Sequence, residues 1–450
     1  MGLVLQNCGS LIKAEIPFGV DLLDCHAVNP ARYPFLLESH HFDDGVQGVD
    51  ILFAYPGEQI CASSIGDTDF FTELEQKFKT SKPNKVETIK HNLPFTGGWF
   101  VFLSYELIGS IEEKLSTLEV DESLPIASAV RIPAAIIKDH RNKTCWIVCE
   151  IGLEHRIEEV WSDIQASIKS PLKSPKVSLK EDTPELFLNG VEKIKAYLKE
   201  GDTLQVNLSR QWVGKILDDG SYLDVYRSLR SHNPSPFSGL ACYGESVICS
   251  SSPERLVSCS GDKVQMRPIA GTRPRHADSR KDKTLADELL ANTKENAEHI
   301  MLIDLIRNDL GRICQTATVS VDEKMTLESY AAVHHIVSNV SGVLKPNLTP
   351  SDVIKAVFPG GTITGCPKVR CMEIIQELEQ TPRGAYTGSM GYINHNGDLD
   401  LNILIRTFTV NGKKISLRTG AGIVADSIAE NELQETRHKA KALLDALTLC

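Results

Sequence analysis

Four glutamates have a spacing that suits chemistry. Glu295 and Glu298 stand three apart in one run, and Glu432 and Glu435 three apart in another. In a helix, i and i+3 share a face. If the two faces oppose each other, hard oxygen ligands converge on one point, which suits magnesium with waters or substrate oxygens completing its shell. Taken alone, such a pair is more often a solvated face, and Lys439, four residues after Glu435, suits a surface ion pair. A second signal is a set of compact runs that combine Gly, Thr, His and Arg: residues 267–275 (RPIAGTRPR), 333–338 (VHHIVS), 358–375 (FPGGTITGCPKVRCMEII), 403–407 (ILIRT) and 418–427 (RTGAGIVADS). Gly-rich turns let backbone N–H groups approach an anion closely. Arg406 sits in an apolar, strand-like run, where a buried guanidinium wants a carboxylate partner. Each run alone reads as a turn or a core ion pair, and His335 alone reads as a core histidine. Their joint occurrence is what that plainer reading explains poorly.

These residues need elements to hold them. Residues 292–310 are predicted to be a helix, with Asn292 and Glu295 spaced as a capping box. Residues 428–447 are predicted to be another, with Ser427 as N-cap and Glu430 three residues on. Thr183 and Pro184 start a helix in which Phe187, Val191, Ile194 and Leu198 recur at helical spacing, and Gly201 ends it. In the following run, alternation puts Leu204, Val206 and Leu208 on one face and Gln205 and Asn207 on the other. An amide-bearing face meets solvent or lines a polar cavity, and solvent is the commoner case. Before residue 150 the chain is β-rich, with strand-like runs ILFAYP, WFVFLSYEL and CWIVCEI. Residues 166–184 are rich in Ser, Pro and Lys without hydrophobic periodicity and read as a linker or exposed loop. Strands and helices alternate without a regular βαβ rhythm, so the expected class is α+β with large sheets. There is no internal repeat.

Composition narrows the function classes. The 450 residues are 42% hydrophobic with a net charge of −11, which fits a globular chain with a sizeable core. No basic, aromatic-rich patch marks a nucleic-acid partner. No apolar run approaches the roughly 18–20 residues a membrane span needs. The N-terminal MGLVLQNCGS lacks the basic and long apolar regions of a signal peptide, and Gln6 stands where a myristoylation signal has Ser or Thr. The twelve cysteines contain no CxxC pair, so they read as reduced, mostly buried residues of a cytoplasmic protein.

Together these runs resemble the chorismate-utilising enzymes, which include component I of anthranilate synthase, component I of para-aminobenzoate (aminodeoxychorismate) synthase, and the isochorismate and salicylate synthases. The resemblance covers residues 186–445 as a chorismate-binding catalytic region, with a looser N-terminal match over 15–150. It implies an α+β sandwich of two large β-sheets with peripheral helices. Glu295, Glu298, Glu432 and Glu435 match the family's magnesium-site carboxylates. Arg406, Tyr386 and the backbone at Gly420, Ala421 and Gly422 match the pocket for the enolpyruvyl carboxylate, and Lys439 a further carboxylate contact. Glu254, in SSPER, matches the general acid that protonates the departing C4 hydroxyl. Thr272, His335 and Thr362 match residues lining the ring pocket. The water-using members carry a lysine where this chain has Gln205. An amide cannot deprotonate water, whereas ammonia is already a nucleophile. The resemblance therefore implies amination, with ammonia from a glutamine amidotransferase subunit, since no cysteine of this chain sits in a Gly-rich elbow with a triad.

The product is the open point of this reading. QVNLSR, PFSG, SSPER, VHHIVS and FPGGTITG lie on the para-aminobenzoate side, which aminates C4 and keeps the enolpyruvyl group. TRPR, KENAEHIMLID and TGAGIV are shared with or lean towards the anthranilate side, which aminates C2 and eliminates pyruvate. Many para-aminobenzoate enzymes read PIKGT, whose lysine attacks C2, whereas this chain has Ala270, which is no nucleophile. Five segments outweigh one residue, so 4-amino-4-deoxychorismate is the expected product and anthranilate the alternative. Residues 36–39 (LLES) and 233–237 (NPSPF) resemble the segments of the anthranilate synthase tryptophan pocket, or are packing that related folds retain.

Overall fold

The computed structural model describes residues 3–39, 48–66, 69–81, 93–329 and 333–448. Among these, alternating and fully apolar strands build two antiparallel sheets, of 13 and 10 strands. Both sheets mix early and late parts of the chain: Phe35–Glu38 pairs with Phe237–Tyr243 in the larger, and Gly98–Leu103 with Ser389–Asn394 in the smaller. The run WFVFLSYEL is one such strand only as far as Leu103, after which Tyr105–Leu107 turns as a 3-10 helix.

The sheets face each other across an aromatic layer. Phe35 of the larger sheet stacks on Phe100 of the smaller at 4.0 Å between ring centroids, and Phe53 meets the same ring edge-on at 5.3 Å. Helices cover the outer faces. Tyr226, Leu229 and Leu443 bury against the larger sheet with Ile147 and Leu417, while Ile303, Ile354 and Met372 bury with Val257, Val340 and Ile393 of the smaller. The result is the expected α+β sandwich with peripheral helices.

Most element ends follow local chemistry. The helix Pro184–Glu200 starts with Pro at its first position and ends at Gly201, whose φ of 84° is the left-handed conformation that glycine adopts without cost. Thr293–Ile313 forms a helix, and the Asn292 side chain accepts from the Glu295 N–H at 3.1 Å. The last helix, Ala429–Thr448, starts differently from the sequence expectation: Ser427 Oγ accepts from Val424 N–H at 3.1 Å, closing the preceding turn instead of capping the helix. Between residues 166 and 184, the stretch 167–176 has no regular structure, and Val177–Glu181 forms an edge strand on Gln205–Ile216. Among the described residues no helix is long and apolar enough to cross a membrane.

Candidate active site

The chain leaves the larger sheet at Ser252 and enters the smaller at Arg255, and a second crossing runs back from Asn402 to Thr407. The two crossings are laced together. Ile403 N–H donates to Glu254 O at 3.0 Å, Ser251 N–H to Arg406 O at 3.1 Å, and Ser252 Oγ to Ile403 O at 2.5 Å. This brings Glu254 and Arg406 to one place. Residues 403–406 are therefore not the strand that the apolar run suggests. Arg406 has a φ of 52°, the left-handed region, because the chain must turn from one sheet to the other there. Nor does it form an ion pair with any described carboxylate. Burial depresses its pKa, and the nearby Glu254 acts the other way.

Glu254 is buried, and its Oε1 accepts a hydrogen bond from Thr362 Oγ1 at 2.7 Å. Burial pushes the carboxyl up to about 7, against the Thr362 hydrogen bond and the Arg406 charge. At neutral pH its protonated form is therefore populated. His335 is buried on the strand Val333–Val343, its Nδ1 3.1 Å from Gly271 O. Burial pushes it down to about 4, with Arg406 acting in the same direction. It is neutral at pH 7, and the carbonyl facing Nδ1 places the proton on that nitrogen. Thr272 is the strand partner of His335, while its side chain lies outside the described residues.

A second group gathers where Gln205–Ile216 pairs with Lys414–Ile423. Leu204, expected on the apolar face, lies just before the strand and is 62% exposed, whereas Gln205 is only 9% exposed. The amide face looks inward, not to solvent: Gln205 Oε1 and Asn207 Oδ1 are both buried without a hydrogen-bond partner. Gly420 and Gly422 make this possible. A Cβ at Gly420 would lie 2.7 Å from Asn207 Oδ1 and 2.8 Å from Tyr386 OH, and one at Gly422 would strike Gln205 Nε2. Between them Ala421, fully buried, pairs with Leu208. Tyr386 is buried, which pushes its phenol up to about 12, so it stays a neutral donor. Lys439 Nζ donates to Gly420 O at 2.9 Å and also pairs with Glu435 at 2.7 Å. It thus serves as the surface ion-pair partner and as a prop for the glycine strand.

The four magnesium candidates are less closely gathered. Glu295 Oε1 pairs with Arg273 at 2.7 Å. Its Oε2 is buried without a hydrogen-bond partner and lies over Gly271, where any Cβ would collide with it. That orphaned acceptor fits a cation. Glu435 is held by Lys439 at the surface, and Glu298 and Glu432 are half-buried on their helices. Among the described residues no three His, Cys, Asp or Glu side chains are grouped as a metal ion requires.

Some buried polar residues carry no sequence signal. His299 is fully buried on the helix Thr293–Ile313, its Nε2 2.7 Å from Ser338 Oγ and its Nδ1 without a partner. Glu379, Arg383 and Arg418 form a buried ionic network behind Tyr386. Of the 36–39 and 233–237 segments, residues 37–39 and 236–237 line one cavity of about 60 Å³ together with Arg255, Met390 and Asn402. Arg255 follows Glu254 in the chain, and Asn402 precedes Ile403, whose N–H meets Glu254 O.

The profile of the chorismate-binding enzyme family matches residues 37–445. The chain is 43% identical over 375 residues to the anthranilate synthase component I-like protein of Synechocystis sp., covering 81% of this chain and 75% of that one. It is 40% identical over 426 residues to aminodeoxychorismate synthase component 1 of Bacillus subtilis, covering 90% and 89%. The crystal structure of anthranilate synthase component I from Streptococcus pneumoniae superposes with a TM-score of 0.78 at 32% identity, covering 90% of this chain and 94% of that one.

Proposed function

We propose that this chain, which belongs to the chorismate-binding enzyme family, aminates chorismate at C4 to give 4-amino-4-deoxychorismate, a precursor of para-aminobenzoate and folate. Ammonia comes from a separate glutamine amidotransferase subunit in the cytoplasm. The observation that carries amination is Gln205. It is a buried amide on the inner face of its strand, paired across from Cys366. A group without a titratable proton gives water no general base, while ammonia needs none.

The residues divide the work as follows. Arg406, Tyr386 and the 420–422 strand take a substrate carboxylate, for which the unpaired guanidinium and the neutral phenol are suited donors. Glu254, protonated by its burial, gives its proton to the C4 oxygen as the C–O bond breaks, so the hydroxyl leaves as water. The ammonia lone pair forms the C–N bond, and the surplus proton on the new ammonium returns to the Glu254 carboxylate. Thr362 holds that carboxylate in place, and neutral His335 and Thr272 line the ring. Magnesium would be held by Glu295, Glu298, Glu432 and Glu435 and would neutralise a carboxylate of the substrate.

Ala270 favours a second reading, amination at C2 with loss of pyruvate to give anthranilate. It lies in the strand Ile269–Pro274 beside the bulge at Gly271 and offers no amine to C2. The relatives include proteins named for each activity at about the same identity, 40% and 39%. The test is chromatography of purified chain with chorismate, magnesium and ammonium, with and without an aminodeoxychorismate lyase. Para-aminobenzoate on adding the lyase is the expected result; anthranilate as the dominant product in both mixtures replaces the first reading with the second.

A further inference from the structure

The Arg383 side chain is about 1% exposed, and all five of its N–H donors are used. Nε and Nη2 grip the two oxygens of Glu379 at 2.9 and 2.6 Å. Nη2 also donates to Asn207 O at 2.8 Å. Nη1 donates to Ile363 O at 3.1 Å and Thr387 Oγ1 at 3.3 Å. The guanidinium carbon stands 5.6 Å from the ring centre of Tyr386. Glu379 extends the network by accepting from Ser209 N–H and Oγ at 2.8 and 2.9 Å and from Arg418 at 2.9 Å.

Three of the four residues that accept from Arg383 belong to the pocket or neighbour one of its residues in sequence. Ile363 follows Thr362, which binds Glu254; Thr387 follows Tyr386; Asn207 lies on the inner face two residues after Gln205; Arg418 lies two before Gly420. A rigid, planar fork with fixed donor directions sets the spacing of several backbone segments at once, which a lysine ammonium does not. None of these contacts reaches the reacting atoms. We propose that Arg383 is a positioning residue for this reaction: it holds the Thr362 turn, Tyr386 and the Gln205–Asn207 segment in register, so that Thr362 stays on the Glu254 carboxyl. This rests on the role proposed above for Glu254.

The test reads Glu254 directly, without turnover. The charged group that acts on it is Arg406, which also acts on His335; neither is altered. In pH-difference infrared spectra of the resting protein, the Glu254 carboxyl band is identified by its absence in Glu254→Gln. Because the Thr362 hydrogen bond favours the ionised form, its loss raises the midpoint. Thr362→Val should raise it by about one pH unit, a ten-fold change in proton affinity. Arg383→Lys should raise it in the same direction, and the double variant should go no further than Thr362→Val alone. A wild-type midpoint in a folded Arg383→Lys protein that has lost only thermal stability overturns the proposal. Should Arg383→Lys not fold, the isosteric Glu379→Gln, which weakens the grip on the fork, is read in the same way: a raised midpoint supports the proposal and an unchanged one overturns it. A wild-type protein that shows the titration but no chorismate turnover defeats the catalytic reading of Glu254 and leaves the positioning result standing.

Discussion

At the residue scale the decisive group is Glu254, because two demands on it conflict. As an acid it must hold a proton near neutrality, which burial achieves by pushing its pKa from 4.5 to about 7. The same burial costs stability. Between pH 4.5 and about 7 the folded protein binds more protons at this site than the unfolded chain, so stability falls as pH rises through that window, by about 3 kcal/mol in total. Glu254→Gln removes the cost and the acid together. It should lower kcat by roughly 10²–10⁴-fold with little change in chorismate affinity, while its melting temperature at pH 8 exceeds that of the wild type and matches it at pH 4. Equal rates, or equal melting temperatures at pH 8, would remove Glu254 from the role. In the wild type, kcat/KM for chorismate should decline on the alkaline side with a midpoint near 7, since the ionised form of the free enzyme cannot donate. Ala270 offers a separate test: Ala270→Lys supplies the amine that can shield C2, so it should reduce any minor 2-amino product relative to the 4-amino product on the same chromatogram. An increased share of anthranilate would show that the pocket is not built for C4.

At the element scale the question is how two helices with exposed or half-exposed glutamates could serve one ion. Glu295 Oε2 is already committed to the interior without a partner, whereas Glu435 is tied to Lys439 at the surface. Glu298→Ala and Glu435→Ala are each expected to weaken magnesium binding at least ten-fold by calorimetry in the presence of chorismate and to lose most turnover while remaining folded. Both variants retaining full activity in EDTA would rule out a metal role. Elements of this kind were largely legible. Pro184 and Gly201 bracket their helix because fixed φ and left-handed φ have few alternatives, and Asn292 caps the next for a similar reason. Ser427 misled because the turn it closes competes for the same hydroxyl. The apolar run before Arg406 misled for a tertiary reason: a crossing between sheets is as apolar as a strand, and periodicity does not distinguish them. The inward face of Gln205 and Asn207 depends on Gly420 and Gly422 more than two hundred residues away, and the Arg383 network depends on contacts among four separate segments. Local pattern carries neither.

At the scale of the whole molecule, the two sheets pack through an aromatic layer and are joined at the candidate site by the crossings at 252–255 and 402–407. Strands from both halves of the chain interleave in each sheet, so Glu254, Arg406, Tyr386 and the inner amide face are held by a scaffold to which both halves contribute. On the proposed function, ammonia has to come from a separate subunit. A glutaminase needs a nucleophile lowered in pKa and paired with a base. Here Cys25, Cys145, Cys242 and Cys371 are pushed up to about 12 by burial, and Cys149 to about 11. Cys61 is exposed on the strand Gln59–Ala62, away from any Gly-rich elbow. The isolated chain should therefore turn over chorismate with ammonium salts and be inactive with glutamine alone. Because free ammonia, not ammonium, is the nucleophile, its apparent KM for total ammonium should fall about ten-fold for each pH unit gained below the ammonium pKa, until the alkaline loss of the Glu254 proton opposes it. Adding a glutamine amidotransferase subunit should restore glutamine use and make the rate insensitive to that dilution. Glutamine-dependent amination by the pure single chain, measured as glutamate release coupled to chorismate loss, would place a glutaminase within these 450 residues and overturn the division of labour.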